Sequence, residues 1–155
     1  MKKIKVLIAI DYALSAQSIA EKGYHFATSL NADVVLMHVI ENVVYYSTTR
    51  YDPIMGFDGF LSTDFLGENV SVNLEKEADV FLNKVKHHLG NHTIKTIVET
   101  GDVSTTIIDT AKKIKADIIV IGTKSRRGFD EILLGNTSHQ LVKHSSIPMY
   151  IIPIK

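Results

Sequence analysis

The sequence predicts an α/β doubly wound fold, a five-stranded parallel sheet with helices on both faces. Two observations lead there. Short, continuous apolar runs rich in β-branched residues recur along the chain, as suits parallel strands covered on both sides. Between them lie longer stretches whose apolar residues repeat at helical spacing, so strands and helices alternate.

Taken in order, residues 3–10 (KIKVLIAI) read as a buried strand with Asp11 at its carboxyl end. From about Ser15 to Leu30, Ile19, Ala20, Gly23, Phe26, Ala27 and Leu30 follow a helical period. Asn31 and Ala32 make a short connection into a second buried strand, 33–40 (DVVLMHVI). Residues 41–68 break the pattern with six aromatics, three glycines and Pro53. A segment of this kind can be a lid, a dimer contact or a surface insertion. Leu74, Ala78, Phe81, Leu82, Val85 and Leu89 then give a helix over about 70–89, stopped by Gly90. The run 93–99 (TIKTIVE) alternates apolar and polar, which marks a strand nearer the sheet edge. Asp102 or Ser104 can cap the next helix, which carries Ile107, Ile108, Ala111 and Ile114. A strand at 117–121, a helix at 137–145 and a last strand at 149–153 (MYIIP) complete the chain.

Composition narrows the function classes. The 155 residues suffice for one domain with a sizeable core. Seventeen basic and seventeen acidic residues balance, so no net field favours nucleic acid or an anionic membrane. The absence of cysteine excludes disulfides, thiolate zinc sites and a thiol nucleophile, and is compatible with a reducing cytosol. The opening MKKIKVLIAID has too short an apolar run for a signal peptide and lacks a small-residue cleavage site. The expected setting is soluble and cytoplasmic.

The stretch 118–136 (IIVIGTKSRRGFDEILLGN) is the candidate ligand loop. Its glycines, Gly122, Gly128 and Gly135, let backbone N–H groups approach an anion, and the helix that follows adds its positive end. They can equally be plain punctuation of a connection. In doubly wound sheets the ligand lies beyond the carboxyl ends of the strands, where the strand order reverses. If the first and fourth strands are neighbours, Asp11 and Gly122 converge on one crevice. No GxxxxGK[ST] loop and no GxGxxG after the first strand is present. Asp11 can serve a ligand or cap the first helix. Arg126 and Arg127 can contact phosphate or form a solvated turn. His38, inside an apolar strand, reads as a satisfied core histidine, and His87, His88 and His92 suit a helix carboxyl end. No activated nucleophile or positioned base for water is identifiable by spacing.

The strand ending in Asp11, the second strand ending LMHVI (Leu36 to Ile40), the late loop with ILLGN and the closing SIPMYIIP together resemble the universal stress protein family. The resemblance covers essentially the whole chain, 1–155, as a single domain. In the family's nucleotide-binding members the loop carries glycine, two residues, glycine, nine residues, then glycine followed by Ser or Thr. Gly122 and Gly135 match the first and last glycines. Ser125 stands at the second, and Asn136 at the Ser or Thr. The resemblance implies an adenine nucleotide alpha hydrolase-like sheet in the order 3-2-1-4-5, with ATP, or AMP or ADP, in the crevice and Mg²⁺ only as the nucleotide's companion. It implies that Asp11 faces ribose and adenine and that Val39 offers backbone contacts to the base. Gly122, Ser125, Gly135, Asn136 and Thr137 would meet the phosphates. It further implies a homodimer through antiparallel pairing of residues 149–153, and a stress-response regulator that binds nucleotide without efficient turnover. A slow ATPase or phosphotransferase and a nucleotide-free interaction module are the alternatives.

Overall fold

The computed structural model describes residues 2–41, 70–123 and 134–154. Among them five strands and four helices alternate. These are β1 (Lys5–Ala9), α1 (Ala16–Ser29), β2 (Asp33–Ile40), α2 (Val70–His88), β3 (Lys95–Thr100), α3 (Val103–Lys113), β4 (Ile118–Gly122), α4 (Asn136–His144) and β5 (Met149–Ile152). The sheet order is β3-β2-β1-β4-β5, with every pairing parallel. The alternating run 93–99 is the edge strand β3, as its pattern predicts. Nearly all of the aromatic-rich stretch 41–68 lies outside the described residues, so the lid expectation falls there.

Alternation along the strands builds two cores, one per sheet face. Val6, Ile8 and Ile10 of the β1 run, Val34 and Leu36 of β2 and Val120 of β4 meet α1 (Ile19, Ala20, Ala27) and α2 (Phe81, Leu82, Val85). Leu7, Val35, Met37, Val39, Ile119 and Ile121 meet α3 (Ile107, Ile108, Ala111) and Leu141 of α4. Burial on both faces is what the unbroken β-branched runs require.

Local chemistry fixes the helix ends. Asn31 turns the chain into β2 with φ of 50°, a conformation asparagine tolerates. Gly90, with φ of 69°, ends the turn after α2. Asp102 caps α3, its carboxylate accepting from Thr105 N at 3.0 Å. The amino edge of the sheet is closed by acid–base contacts: Lys5 N donates to Asp117 Oδ2 at 2.8 Å, and Lys3 pairs with Asp33 at 2.6 Å. The carboxyl edge, where the strand order reverses between β1 and β4, carries a different set of residues.

Candidate functional site

β1 and β4 are neighbours, with Val6, Leu7 and Ile8 in register with Ile118, Ile119 and Val120. Asp11 follows the carboxyl end of β1, and Gly122 closes β4. The chain departs from β1 in both directions across the sheet, to β2 and β3 on one side and β4 and β5 on the other. This is the topological switch point at which a doubly wound sheet opens a crevice.

Asp11 is exposed at this mouth. Its Oδ1 accepts from the backbone N–H of Ala13 at 3.0 Å, a local Asx turn. It does not cap α1, which begins at Ala16 with Ser15 in the cap position. One carboxylate oxygen of this exposed residue is held by the turn. Val39, in contrast, is buried on the α3–α4 face, so only its backbone is available to a ligand.

Beneath Asp11 lies His38, 3% exposed. Its Nδ1 donates to the Ile10 carbonyl at 2.9 Å, and its ring sits 4.2 Å from that of Tyr12 and 6.1 Å from that of Phe81. The expectation of a core histidine holds, but only half of the ring is satisfied, because Nε2 is buried without a hydrogen-bond partner. Burial pushes the imidazole pKa below its ordinary value; the Ile10 bond and the charge of Asp11 oppose this.

Gly122 ends β4 in close approach to apolar side chains. A Cβ there would collide with Ile19 Cδ1 and lie 2.6 Å from Ile154 Cδ1. The space that the missing side chain leaves is therefore occupied by apolar packing. The Gly122 carbonyl accepts from Ser138 Oγ at 3.1 Å, which ties the first turn of α4 to the end of β4. Thr123, 1% exposed, clamps the chain beyond β5: its N–H donates to Ile152 O at 3.0 Å and its Oγ1 accepts from Ile154 N at 3.2 Å. Sequence reading missed Ser138 and Thr123 as structural groups, because polar residues beside glycines look alike whether they bind ligand or backbone.

The cap of α4 is Gly135, in extended conformation, with Asn136 as the first helical residue. The helix expected at 137–145 thus begins one residue earlier, and Gly135 brings no capping side chain of its own. Asn136 is exposed and Thr137 half-buried at this end. Ser125, Arg126, Arg127 and Gly128 lie outside the described residues. The remaining histidines hold other places: His88 Nε2 pairs with Glu21 Oε1 at 2.7 Å, bridging α2 to α1, and His139 and His144 are exposed on α4. Among the described residues no three acidic or histidine side chains cluster to hold a metal.

The comparisons with known proteins agree with this geometry. A sequence model of the Universal stress protein family matches residues 4–153. Universal stress protein MJ0577 of Methanocaldococcus jannaschii is 25% identical over 154 residues, covering 97% of this chain and 95% of its own. Universal stress protein A homolog 2 of Coxiella burnetii is 27% identical over 154 residues, 99% of this chain and 96% of its own. Among solved structures, the hypothetical protein MJ0577 superposes with a TM-score of 0.71 at 22% identity, over 100% of this chain and 99% of that one. A universal stress protein in complex with cAMP gives 0.63 at 15% identity, over 99% and 98%. The structural likenesses establish the shared sheet, and the match across nearly the whole sequence establishes the lineage. The chain belongs to the universal stress protein family.

Proposed function

We propose that this protein binds an adenine nucleotide, ATP foremost, in the crevice between the carboxyl ends of β1 and β4. The observation that carries the reading is the pairing of those two strands at the point where the sheet order reverses. The carboxylate of Asp11 accepts from a ribose hydroxyl, and the Val39 backbone meets the base. Gly135 caps α4 without a side chain of its own, and in this reading the N–H groups of Asn136 and Thr137 donate to phosphate oxygens. Gly122, Ser125 and the Asn136 amide complete the phosphate side, and Mg²⁺ accompanies the triphosphate. A family member crystallised with cAMP supports an adenine nucleotide as the ligand class. Within the reading the protein is a homodimeric stress-response regulator of the cytoplasm that holds nucleotide without efficient turnover. Among the described residues no helix is long and apolar enough to cross a membrane.

The test is calorimetric titration of the purified protein with ATP and Mg²⁺, beside mass spectrometry of any copurified small molecule. Saturable binding is expected. No heat at millimolar ATP overturns the reading. A second reading, an interaction module that works without nucleotide, is favoured by Ser125, which stands where the nucleotide-binding pattern has glycine. The same titration on Ser125→Gly separates the two. Affinity within about threefold of wild type supports nucleotide binding, and a gain of about tenfold or more supports the interaction module.

A further inference from the structure

The β1–β2 ladder ends at Ile10, whose N–H donates to Met37 O at 2.9 Å. Beyond that point the ladder gives the Ile10 carbonyl no strand partner, and it must find a donor off the ladder. The donor is the side chain of His38, at 2.9 Å through Nδ1. With Nδ1 carrying the proton, Nε2 is a bare acceptor, buried and unpartnered. Nothing local explains the choice of a histidine on apolar packing grounds, since the neighbours are Tyr12 and Phe81 on one side of the sheet and Val98 across the ladder. The bond lands on the residue immediately before Asp11, and Asp11 in turn holds Ala13 N.

We propose that His38 is a positioning residue for the nucleotide crevice: its neutral imidazole tethers the Ile10 carbonyl and thereby fixes the Asp11–Ala13 turn that presents the carboxylate. The inference rests on the nucleotide reading for its consequence, although the tether itself does not. Protonation at Nε2 keeps the Nδ1–H bond but buries a cation with no acceptor, so acid conditions destabilise the buried, tethered placement of the ring. Asp11 is the charged group that acts on the ring; α2 presents the uncharged Phe81 and β3 presents Val98. With its folded pKa below the unfolded one, His38 contributes fully above about pH 6.5 and progressively less as pH falls.

Two variants test this. His38→Leu removes the donor and keeps an apolar side chain. His38→Asn keeps an N–H on Cγ, where Nδ1 is attached, and cannot be protonated. Two readouts apply to each: ATP affinity between about pH 5 and 7.5, and the amide resonances of Asp11 and Ala13 in ¹H–¹⁵N spectra. His38→Leu is expected to weaken ATP binding about tenfold and to move both resonances, with His38→Asn restoring affinity to within about threefold. Wild type loses affinity relative to His38→Asn as pH falls, the titration of ATP itself cancelling in the ratio. Wild-type resonances and affinity in His38→Leu overturn the proposal, as does a wild-type to His38→Asn affinity ratio that stays constant as pH falls. If wild-type protein binds no ATP, the nucleotide reading fails, and the resonances alone then decide whether the tether exists.

Discussion

A methyl group added at Gly122 would press on both branches of a packed apolar contact, lying 2.6 Å from Ile154 Cδ1 and 2.8 Å from Ile19 Cγ1. Relief requires Ile19 to leave its rotamer or α1 to move off the sheet, either of which costs roughly 1–3 kcal/mol. Gly122→Ala is therefore expected to lower the thermal midpoint by several degrees, read by circular dichroism in the absence of nucleotide. An unchanged midpoint shows that the contact yields without strain. The position also shows what a sequence discloses at this scale. A glycine closing an apolar strand was legible as a close approach, but the same letter serves a phosphate or an isoleucine. The contacts of Ile19 and Ile154 with this position are not written in the local sequence. His38 was legible as a core group from its apolar flanks. Its single satisfied nitrogen was not, because the partner is a backbone carbonyl 28 residues earlier.

The two helices that start beyond strands β3 and β4 are capped differently. Asp102 accepts from Thr105 N at 3.0 Å and from the Ser104 hydroxyl at 3.0 Å, and the first of these bonds dominates in holding its pKa below the ordinary 3.8. Replacing it in Asp102→Ala is expected to cost about 1 kcal/mol at neutral pH, the usual value of such a cap. Because the folded pKa is the lower one, this contribution is present above the unfolded value and vanishes as pH falls through the folded value. Urea titrations at pH 7 should thus separate the two proteins, and the difference should shrink as the pH is lowered below the ordinary 3.8. α4, by contrast, begins at Gly135, a cap residue with no side chain to offer its amides. The cap of α3 was legible because aspartate followed three residues later by a helix interior has few other uses. The start of α4 was displaced by one residue because Asn136 is itself a favoured cap, and only the extended backbone of Gly135 decides between them.

Across the whole molecule the alternation of β-branched runs and helices made a parallel, doubly wound sheet legible, whereas the strand order came through the family resemblance, because alternation alone leaves several right-handed windings open. The same order makes β5 an edge, bonded to β4 on one side. An edge of this kind is a template for another chain unless charge or proline guards it. Its central residue, Tyr150, is 39% exposed and stacks on Phe26 of α1, ring centroids 4.0 Å apart and planes within 1°. Ile151 faces the other way and packs into the α3–α4 core, so a charge placed there reports on folding as well as on association. Tyr150→Lys is the cleaner probe: it sets an ammonium at the edge while the Ile151 and Ile152 contacts stay intact. If two copies pair antiparallel through residues 149–153, each lysine faces the other copy's strand near the dyad, and like charges oppose pairing. Light scattering on the eluting protein should then give a dimer mass for wild type and a mass moving to the monomer for Tyr150→Lys. A wild-type monomer, or a variant that stays fully dimeric, places the interface elsewhere. A variant that dissociates yet keeps its ATP affinity shows that each crevice is complete within one chain.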